Sequence, residues 1–254
     1  MKNIKLLRIP FFILLLVYFL YLVVSSTPAG WAAWGVHKAV PPLWLSSVEG
    51  TLWRGKAHSA QVDIGPASIP LGRVTWRLNP FSLLLLKPCV DFTTSLPGQT
   101  IEGEICQTLG GVTQVKNLNV DAPISVIQEI NPINATGSIS LQVIDAEFDN
   151  TAAITTLDAR FSWQNGRAFV ADSWLNLGSF AATAKQDSKG GVAAEVFDLE
   201  GDYKVDLAAL WYPKPGWKVS GTIAPQEGAP TMVVEFLKIF GEEVNEGTYQ
   251  VQWP

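Results

Sequence analysis

The sequence predicts a mainly β protein, in which a single N-terminal transmembrane helix precedes a large twisted antiparallel β-sheet domain with one or two short helices. Three observations predict this fold. One uncharged apolar stretch lies near the N-terminus, apolar and polar residues then alternate with a period of two, and turn signals recur about every ten residues without helices between them. This succession is typical of an antiparallel meander and not of βαβ units.

The apolar stretch covers residues 9–24 and follows Lys2, Lys5 and Arg8. A bilayer core is ~30 Å thick, so a helix needs about 17–25 mostly apolar residues to cross it. The stretch is therefore of borderline length, and it becomes longer if the Arg8 side chain reaches back to the headgroups. We expect an uncleaved anchor.

A cleaved signal peptide is the alternative for this stretch. Such a peptide ends in a small-x-small cleavage site, whereas Pro28 hinders several of the possible cuts here. Trp31 and Trp34 are placed like aromatic residues at a membrane interface. In both cases the positive-inside rule sends the chain from about residue 30 onward across the membrane. We therefore expect an anchor within residues 1–30 and a β-rich domain over residues 31–254, either undivided or in two lobes with a boundary near residues 121–136.

Charge and composition exclude several classes of protein. Charged residues make up 16% of the chain and the formal net charge is −5, even though three basic residues precede the apolar stretch. An acidic domain lacks the cationic face that binds nucleic acid. The apolar content of 48% is too high for a disordered chain.

After the anchor, a short amphipathic helix is expected over residues 31–42, since the pair Pro41 and Pro42 cannot continue a helix. The period of two then predicts strands with one buried and one wet face. Alternation is clear in residues 73–78, 101–105, 117–121, 138–143, 157–163, 203–207 and 249–253.

Two hairpin turns are expected in the second half, at Asn165-Gly166 and at residues 188–191. Helical spacing occurs in residues 123–130 and in Thr231–Phe240, where Gly241 would end the second helix. Both ends of such a sheet carry unpaired backbone groups, so something must cap them.

The two cysteines, Cys89 and Cys106, stand seventeen positions apart with a turn-like segment between them. Outside the cytoplasm the expected state is one structural disulfide, with two unpaired buried thiols as the alternative. A zinc site is a poor alternative, because it needs about four ligands and the only histidines are His37 and His58. We therefore expect no metal.

Catalytic chemistry is not predicted. His58 lies in a strand-like polar stretch, and the neighbouring carboxylates Glu242 and Glu243 are expected in a solvated turn. The same holds for Asp198 and Glu200. No phosphate-binding loop exists, because the paired glycines lack the surrounding lysine and helix start. We expect neither an enzyme nor a cofactor.

Eight tryptophans lie beyond residue 40, where each needs a core or an interface for its large apolar ring. Burial in the core is the ordinary outcome. The alternative is a groove that accepts an acyl chain or a partner's strand.

Two short motifs carry a family resemblance. A G-T-L-W-x-G sequence is followed by a W-x-L-x-P sequence, and the residues concerned are Gly50, Thr51, Leu52, Trp53, Gly55, Trp76, Leu78 and Pro80. From the residues alone, Gly50 and Gly55 allow the backbone to bend around a large ring, and Pro80 ends a strand. With the closing helix, turn and strand of residues 240–251, these motifs resemble the type II secretion system protein N family.

The resemblance implies a non-enzymatic accessory component of the type II protein secretion system. Such a protein would be a single-pass protein of the bacterial inner membrane, with a cytoplasmic N-terminus and a periplasmic main domain that touches the inner-membrane platform or the secretin. The same motifs are similar to those of AsmA-like β-rich proteins. This second likeness implies an alternative, a periplasmic β-groove that binds lipid or another hydrophobic ligand.

Overall fold

The structure is a computed structural model that describes residues 15, 16, 18, 19, 22, 23, 25–65, 67–128, 134–170, 172–213 and 216–253. The expected anchor, residues 9–24, lies largely outside the described residues. Those of its residues that are described, among them Leu15 and Leu22, are helical. Within the described part of the chain, no helix combines the length and the apolarity needed for a membrane crossing.

One antiparallel sheet of fourteen strands forms most of the structure, which confirms the mainly β prediction. Neighbours in sequence are neighbours in space, except that β14 lies between β12 and β13. The strands are β1 Leu43–Gly50, β2 Arg54–Ile64, β3 Ala67–Leu78, β4 Cys89–Leu96, β5 Gln99–Gln107, β6 Thr113–Pro123, β7 Ala135–Phe148, β8 Ile154–Val170, β9 Ser173–Gln186, β10 Val192–Glu200, β11 Tyr203–Tyr212, β12 Gly216–Pro225, β13 Glu242–Asn245 and β14 Thr248–Trp253.

Besides the helical residues of the expected anchor, the described part of the chain contains the helices α1 Ala29–Ala39, α2 Pro80–Leu84, α3 Ser125–Gln128 and α4 Thr231–Phe240. Helix α1 ends before the proline pair, as expected, and α4 has the predicted bounds. Helix α3 lies inside the predicted range, whose last two residues are not described.

The two faces of the sheet differ sharply in polarity. One line of cross-strand partners crosses thirteen strands, and Thr94 is its only polar member. This line, which we call the apolar row, consists of Val48, Ala57, Val74, Thr94, Ile101, Val120, Leu141, Phe161, Ala182, Val196, Leu207, Gly221 and Val251.

The next line, displaced by one residue, points to the opposite face and is polar apart from Ala208. It consists of Glu49, Lys56, Thr75, Thr93, Glu102, Asn119, Gln142, Arg160, Thr183, Glu195, Ala208, Ser220 and Gln252. The pairing register is therefore the one that collects the apolar residues on one side.

No second layer covers the middle of the apolar face in the described structure. The helices pack mainly on β1, β2, β7, β13 and β14, and strands pack mainly on their ladder neighbours. The accessible surface of the chain is 16,781 Å², whereas a compact protein of this mass exposes about 11,000 Å². Phe161, in the middle of the apolar row, is 36% exposed. The sheet is thus open, and much of its apolar face is accessible.

The predicted hairpin at Asn165-Gly166 is wrong. Strand β8 continues through both residues, and the pairing with β9 shifts register between Trp163 and Gly166. Asn165 has a φ of 51°, a left-handed conformation that asparagine tolerates better than most residues. The same residues that favour a tight turn therefore form a bulge here, because neighbouring strands pair on both sides of them.

Both edge strands of the sheet carry features that oppose pairing with another strand, as expected for a sheet with free edges. Helix α1 packs on β1 and β2. At the other end, β13 has four exposed residues that include Glu242 and Glu243. Residues 121–136, where a lobe boundary was predicted, connect β6 to β7, which pair with each other, and residues 129–133 are not described.

Candidate functional site

The G-T-L-W motif forms the turn between β1 and β2. Gly50 has a φ of 98°, and a Cβ there would lie 2.5 Å from the carbonyl oxygen of Arg54. The Thr51 N–H donates to that carbonyl at 2.8 Å, and the Arg54 N–H donates to Thr51 Oγ1 at 3.2 Å. Glycine is therefore required at the start of the turn, and threonine closes it.

This turn connects the N-terminal segment to β3. The Leu52 N–H donates to the Thr27 carbonyl at 2.8 Å, while the Leu52 carbonyl accepts from Trp76 Nε1 at 3.2 Å. The Leu78 N–H donates to the Trp53 carbonyl at 2.9 Å. The two motifs of the family resemblance thus contact each other in the fold, and together they hold the chain that follows the expected anchor.

Trp76 lies over Gly55, its direct partner on β2. A Cβ at Gly55 would have three atoms of the indole ring within 3.0 Å. The second glycine of the motif is therefore required by close approach of a ring and not by its backbone angles.

The W-x-L-x-P motif ends in a compact turn that positions Cys89. Asn79 Oδ1 accepts from the Phe81 N–H at 3.0 Å, and Pro80 occupies the first position of α2. Ser82 Oγ donates to the Asn79 carbonyl at 2.6 Å and accepts from the Cys89 N–H at 2.9 Å. Asn79 and Ser82 thus hold the start of β4, a role that the sequence did not predict for them.

Cys89 and Cys106 form the expected disulfide between directly opposed residues of β4 and β5. Glu104 lies close to both sulfurs, and within the described residues these three are the group compact enough to hold a metal ion. Sulfurs in a disulfide carry no thiolate charge, so this group does not fit a metal.

Both histidines lie beside backbone carbonyls of β1. His37 Nδ1 lies 3.4 Å from the Leu43 carbonyl, with its ring 4.3 Å from that of Trp44. His58 is exposed, and its Nδ1 lies 3.0 Å from the carbonyl of Ser47, a β1 residue with a φ of 53°. Both rings therefore join α1 and β2 to the β1 edge.

One carboxylate of each neighbouring pair, Glu243 in β13 and Asp198 in β10, instead holds a turn. Glu243 Oε1 accepts from the Gly247 N–H at 3.0 Å, and Asp198 Oδ1 accepts from the Val205 N–H at 2.8 Å. Partial burial opposes ionisation of Asp198, but the hydrogen bonds from Val205 and Lys204 outweigh it, so the pKa of Asp198 lies below its usual range. A hydrogen bond from Tyr212 likewise lowers the pKa of Asp187. Groups held ionised in this way suit structural roles.

The tryptophans favour an interface over a core. None of the eight beyond residue 40 is fully buried, and four are exposed: Trp44, Trp174, Trp217 and Trp253. Trp163 repeats the arrangement of Trp76, since it lies against Gly137 and Gly166 and its Nε1 donates to the Thr136 carbonyl at 3.2 Å. The candidate functional feature is thus an open apolar face with aromatic rings along it.

Another exposed feature was not predicted. The connection between β3 and β4 exposes Phe81, Leu84, Leu85 and Leu86, each by more than 60% of its surface. The signal was present in the sequence as four consecutive leucines followed by Lys87 and Pro88, which neither alternate nor reach the length of a helix.

Comparisons with known proteins agree with the family resemblance. The family model described as type II secretion system (T2SS), protein N matches residues 41–252, which include β1, both motifs and nearly all of β14. A type II secretion system protein N from Klebsiella pneumoniae is 22% identical over 265 residues, which cover 100% of this chain and 96% of that protein. No solved structure matches the chain. Since the family model covers most of the sheet, the chain belongs to the type II secretion system protein N family, whose members are components of a secretion system and not enzymes.

Proposed function

We propose that this protein is an inner-membrane-anchored accessory component of the type II secretion system. In this proposal residues 1–30 supply a cytoplasmic N-terminus and the anchor, and residues 31–254 form a periplasmic domain that binds the inner-membrane platform or the secretin. The observation that carries the proposal is the family match over residues 41–252.

Two features of the chain support the topology. Lys2, Lys5 and Arg8 precede the apolar stretch, which favours a cytoplasmic N-terminus. The disulfide between Cys89 and Cys106 suits an oxidising compartment such as the periplasm.

Protease accessibility tests the topology. We expect added protease to degrade the sheet domain in spheroplasts but not in intact cells, and we expect the mature protein to keep its first thirty residues by mass. A domain that stays protected in spheroplasts would contradict the periplasmic assignment. A mature chain that starts near residue 30 would replace the anchor by a signal peptide.

Site-specific photocrosslinking in native envelopes tests the partner contact. A photoreactive residue is placed on the polar face at Arg160, on the apolar face at Phe161 and at the sheet edge at Glu243, all of which are exposed. We expect at least one position to capture a secretion subunit, and cells that lack the other secretion genes serve as the control. If none of the three surfaces captures a secretion subunit, the partner contact is wrong.

The open apolar face favours a second candidate function, the binding of lipid acyl chains. The apolar row runs from Val48 to Val251 with one polar member, and no described residues form a covering layer over its middle. Acyl chains bury apolar surface without the directional bonds that such a face does not offer. Native mass spectrometry of the purified full chain, followed by lipid extraction, tests this candidate. Phe161→Asp is expected to lower the retained lipid, whereas Arg160→Asp on the other face is not, and equal retention in both variants would contradict it.

A further inference from the structure

The chain enters the sheet domain at one end of its strands. The Leu52 N–H donates to the Thr27 carbonyl at 2.8 Å, and Pro28 bridges to Thr51. These contacts place the end of the N-terminal segment against the turn between β1 and β2. We call this end of the sheet the tether end.

The pairing register shows which other connections lie at the tether end. Arg54 at the start of β2 pairs with Arg77 near the end of β3, and Cys89 at the start of β4 pairs with Cys106 near the end of β5. The connections from β3 to β4 and from β5 to β6 therefore lie beside the turn that holds Thr27. Adjacent strands are about 5 Å apart, so the connection from β3 to β4 starts within roughly 10–15 Å of that turn.

These two connections carry the most exposed leucines of the described residues. Leu84 and Leu85 are each 79% exposed, Phe81 is 76% exposed, and Leu109 in the next connection is 77% exposed. Large apolar side chains grouped in this way indicate contact with a membrane or a protein.

Hydrogen bonds fix the backbone of this connection. The Lys87 N–H donates to the Ser82 carbonyl at 3.0 Å, and the Leu86 N–H donates to the Leu83 carbonyl at 3.0 Å. Ser82 in turn accepts from the Cys89 N–H, beside the disulfide. These hydrogen bonds thus hold the backbone of the connection in place while the leucine side chains stay exposed.

The tether end also carries tryptophan further along the sheet. Trp217 pairs with Trp211 near the start of β12, and Trp253 pairs with Val219 at the end of β14. Trp217 is 55% and Trp253 is 64% exposed. These strands lie at least nine positions from β3, and sheets twist by roughly 20° per strand, so both tryptophans fall outside the proposed membrane contact.

We propose that residues 80–86, together with Leu109, lie in the interfacial layer of the membrane that holds the N-terminal segment, so that the sheet stands on the bilayer by its tether end. This inference rests on the proposed function, because it takes residues 9–24 to be in that membrane. The occupant is a bilayer and not a protein, since the exposed leucines adjoin the point at which the apolar segment ends. Lys87 follows the leucines directly, and its ammonium is half-buried and donates to Gln114 Oε1 on β6.

A matched site at the opposite end serves as the control. The hairpin between β8 and β9 exposes Trp174 by 52%, and it lies at the far end of strands that pair from Asp158 to Val170. That hairpin is apolar and exposed, but the β8 residues that lead to it extend roughly 40 Å away from the tether end. Non-specific hydrophobic adsorption would bring both sites into contact with lipid. The proposed orientation brings only the connection between β3 and β4 into contact with it.

The experiment places an environment-sensitive fluorophore on Leu85→Cys or Trp174→Cys in the full chain. Each variant is reconstituted into vesicles of phosphatidylethanolamine and phosphatidylglycerol, with or without lipids that carry a nitroxide near the carbonyl end of the acyl chain. We expect the fluorophore at position 85 to shift to the blue and to lose about half of its emission to the nitroxide lipids, since interfacial insertion reaches roughly 5–10 Å deep. We expect no quenching at position 174. Circular dichroism confirms that both variants fold.

A carbonate wash of the same vesicles separates the two levels of the proposal. If the protein stays with the vesicles and position 85 is not quenched, the orientation is overturned while the anchor stands. If the protein washes off, the anchor and the orientation both fail. Equal quenching at both positions also overturns the orientation. Because the vesicles contain no other protein, quenching at position 85 alone excludes a protein partner as its cause.

Discussion

The indole ring of Trp76 lies over Gly55 on the neighbouring strand, and its Nε1 donates to the Leu52 carbonyl at 3.2 Å. This pair explains why one motif contains a glycine and the other a tryptophan. The glycine leaves the space that the ring fills, and the ring then holds the turn in which the first motif ends. A single side-chain placement thus connects β3, β2 and the residues that follow the expected anchor.

Gly55→Ala is expected to destabilise the protein by about 1–3 kcal/mol, because the new methyl group would have to displace the Trp76 ring. Urea denaturation of the full chain in detergent measures the free energy of unfolding. Gly35→Ala is the control, since nothing lies within 4 Å of the added Cβ in α1. That control should be neutral or stabilising by up to about 1 kcal/mol, and equal losses in both variants would refute the close-approach argument.

Trp76→Phe keeps an aromatic ring over Gly55 but removes the donor to the Leu52 carbonyl. We expect a loss of about 1 kcal/mol in the free energy of unfolding, together with faster amide exchange of Leu52 and Thr51. Hydrogen exchange measured by mass spectrometry reports the turn directly. Unchanged exchange there, with the same loss of stability, would show that the indole N–H does not hold the turn.

Loss of the disulfide is expected to cost about 3 kcal/mol, since it closes a loop of seventeen residues between Cys89 and Cys106. Denaturation with and without a reductant measures the difference. In the Cys89→Ser, Cys106→Ser double variant the reductant should have no further effect. A wild-type curve that does not respond to reduction contradicts the prediction.

Tyr212→Phe is expected to raise the pKa of Asp187 toward its ordinary value, because the Tyr212 hydroxyl donates to Asp187 Oδ2 at 2.7 Å. In the wild type the folded-state pKa of Asp187 is depressed, so its contribution to stability is present above the unfolded pKa and is lost as the pH falls through the folded one. The same bond raises the pKa of Tyr212, and that contribution is lost only as the pH rises through the raised value.

Nuclear magnetic resonance titration of the Asp187 carboxyl measures this shift. Asp149 is the control, because its pKa is lowered by Thr151 and Ala153 within its own turn and should not change in Tyr212→Phe. A pKa of Asp187 that stays the same in the variant would exclude the Tyr212 hydrogen bond as its cause.

Prediction from the sequence succeeded where a local pattern is compatible with only one structure. The period of two indicated strands, and α4 was predicted at its observed bounds because its apolar spacing and Gly241 agree. The disulfide was left open against two free thiols, and the pairing of Cys89 with Cys106 decides it. Prediction failed at Asn165-Gly166, because a positive φ suits a hairpin and a bulge equally and the choice depends on pairing with β7 and β9.

The sequence by itself determined that the fold is mainly β and that the chain resembles the type II secretion system protein N family. Only the tertiary structure decided that the apolar residues of thirteen strands line up in one row and that the middle of this face has no covering layer among the described residues. The alternation of apolar and polar residues within a strand indicates which residues share a face of the sheet. It does not indicate whether another layer packs on that face. Likewise, the sequence does not show that the run of leucines before Lys87 lies beside Thr27. That proximity depends on the pairing of three strands, β2, β3 and β4.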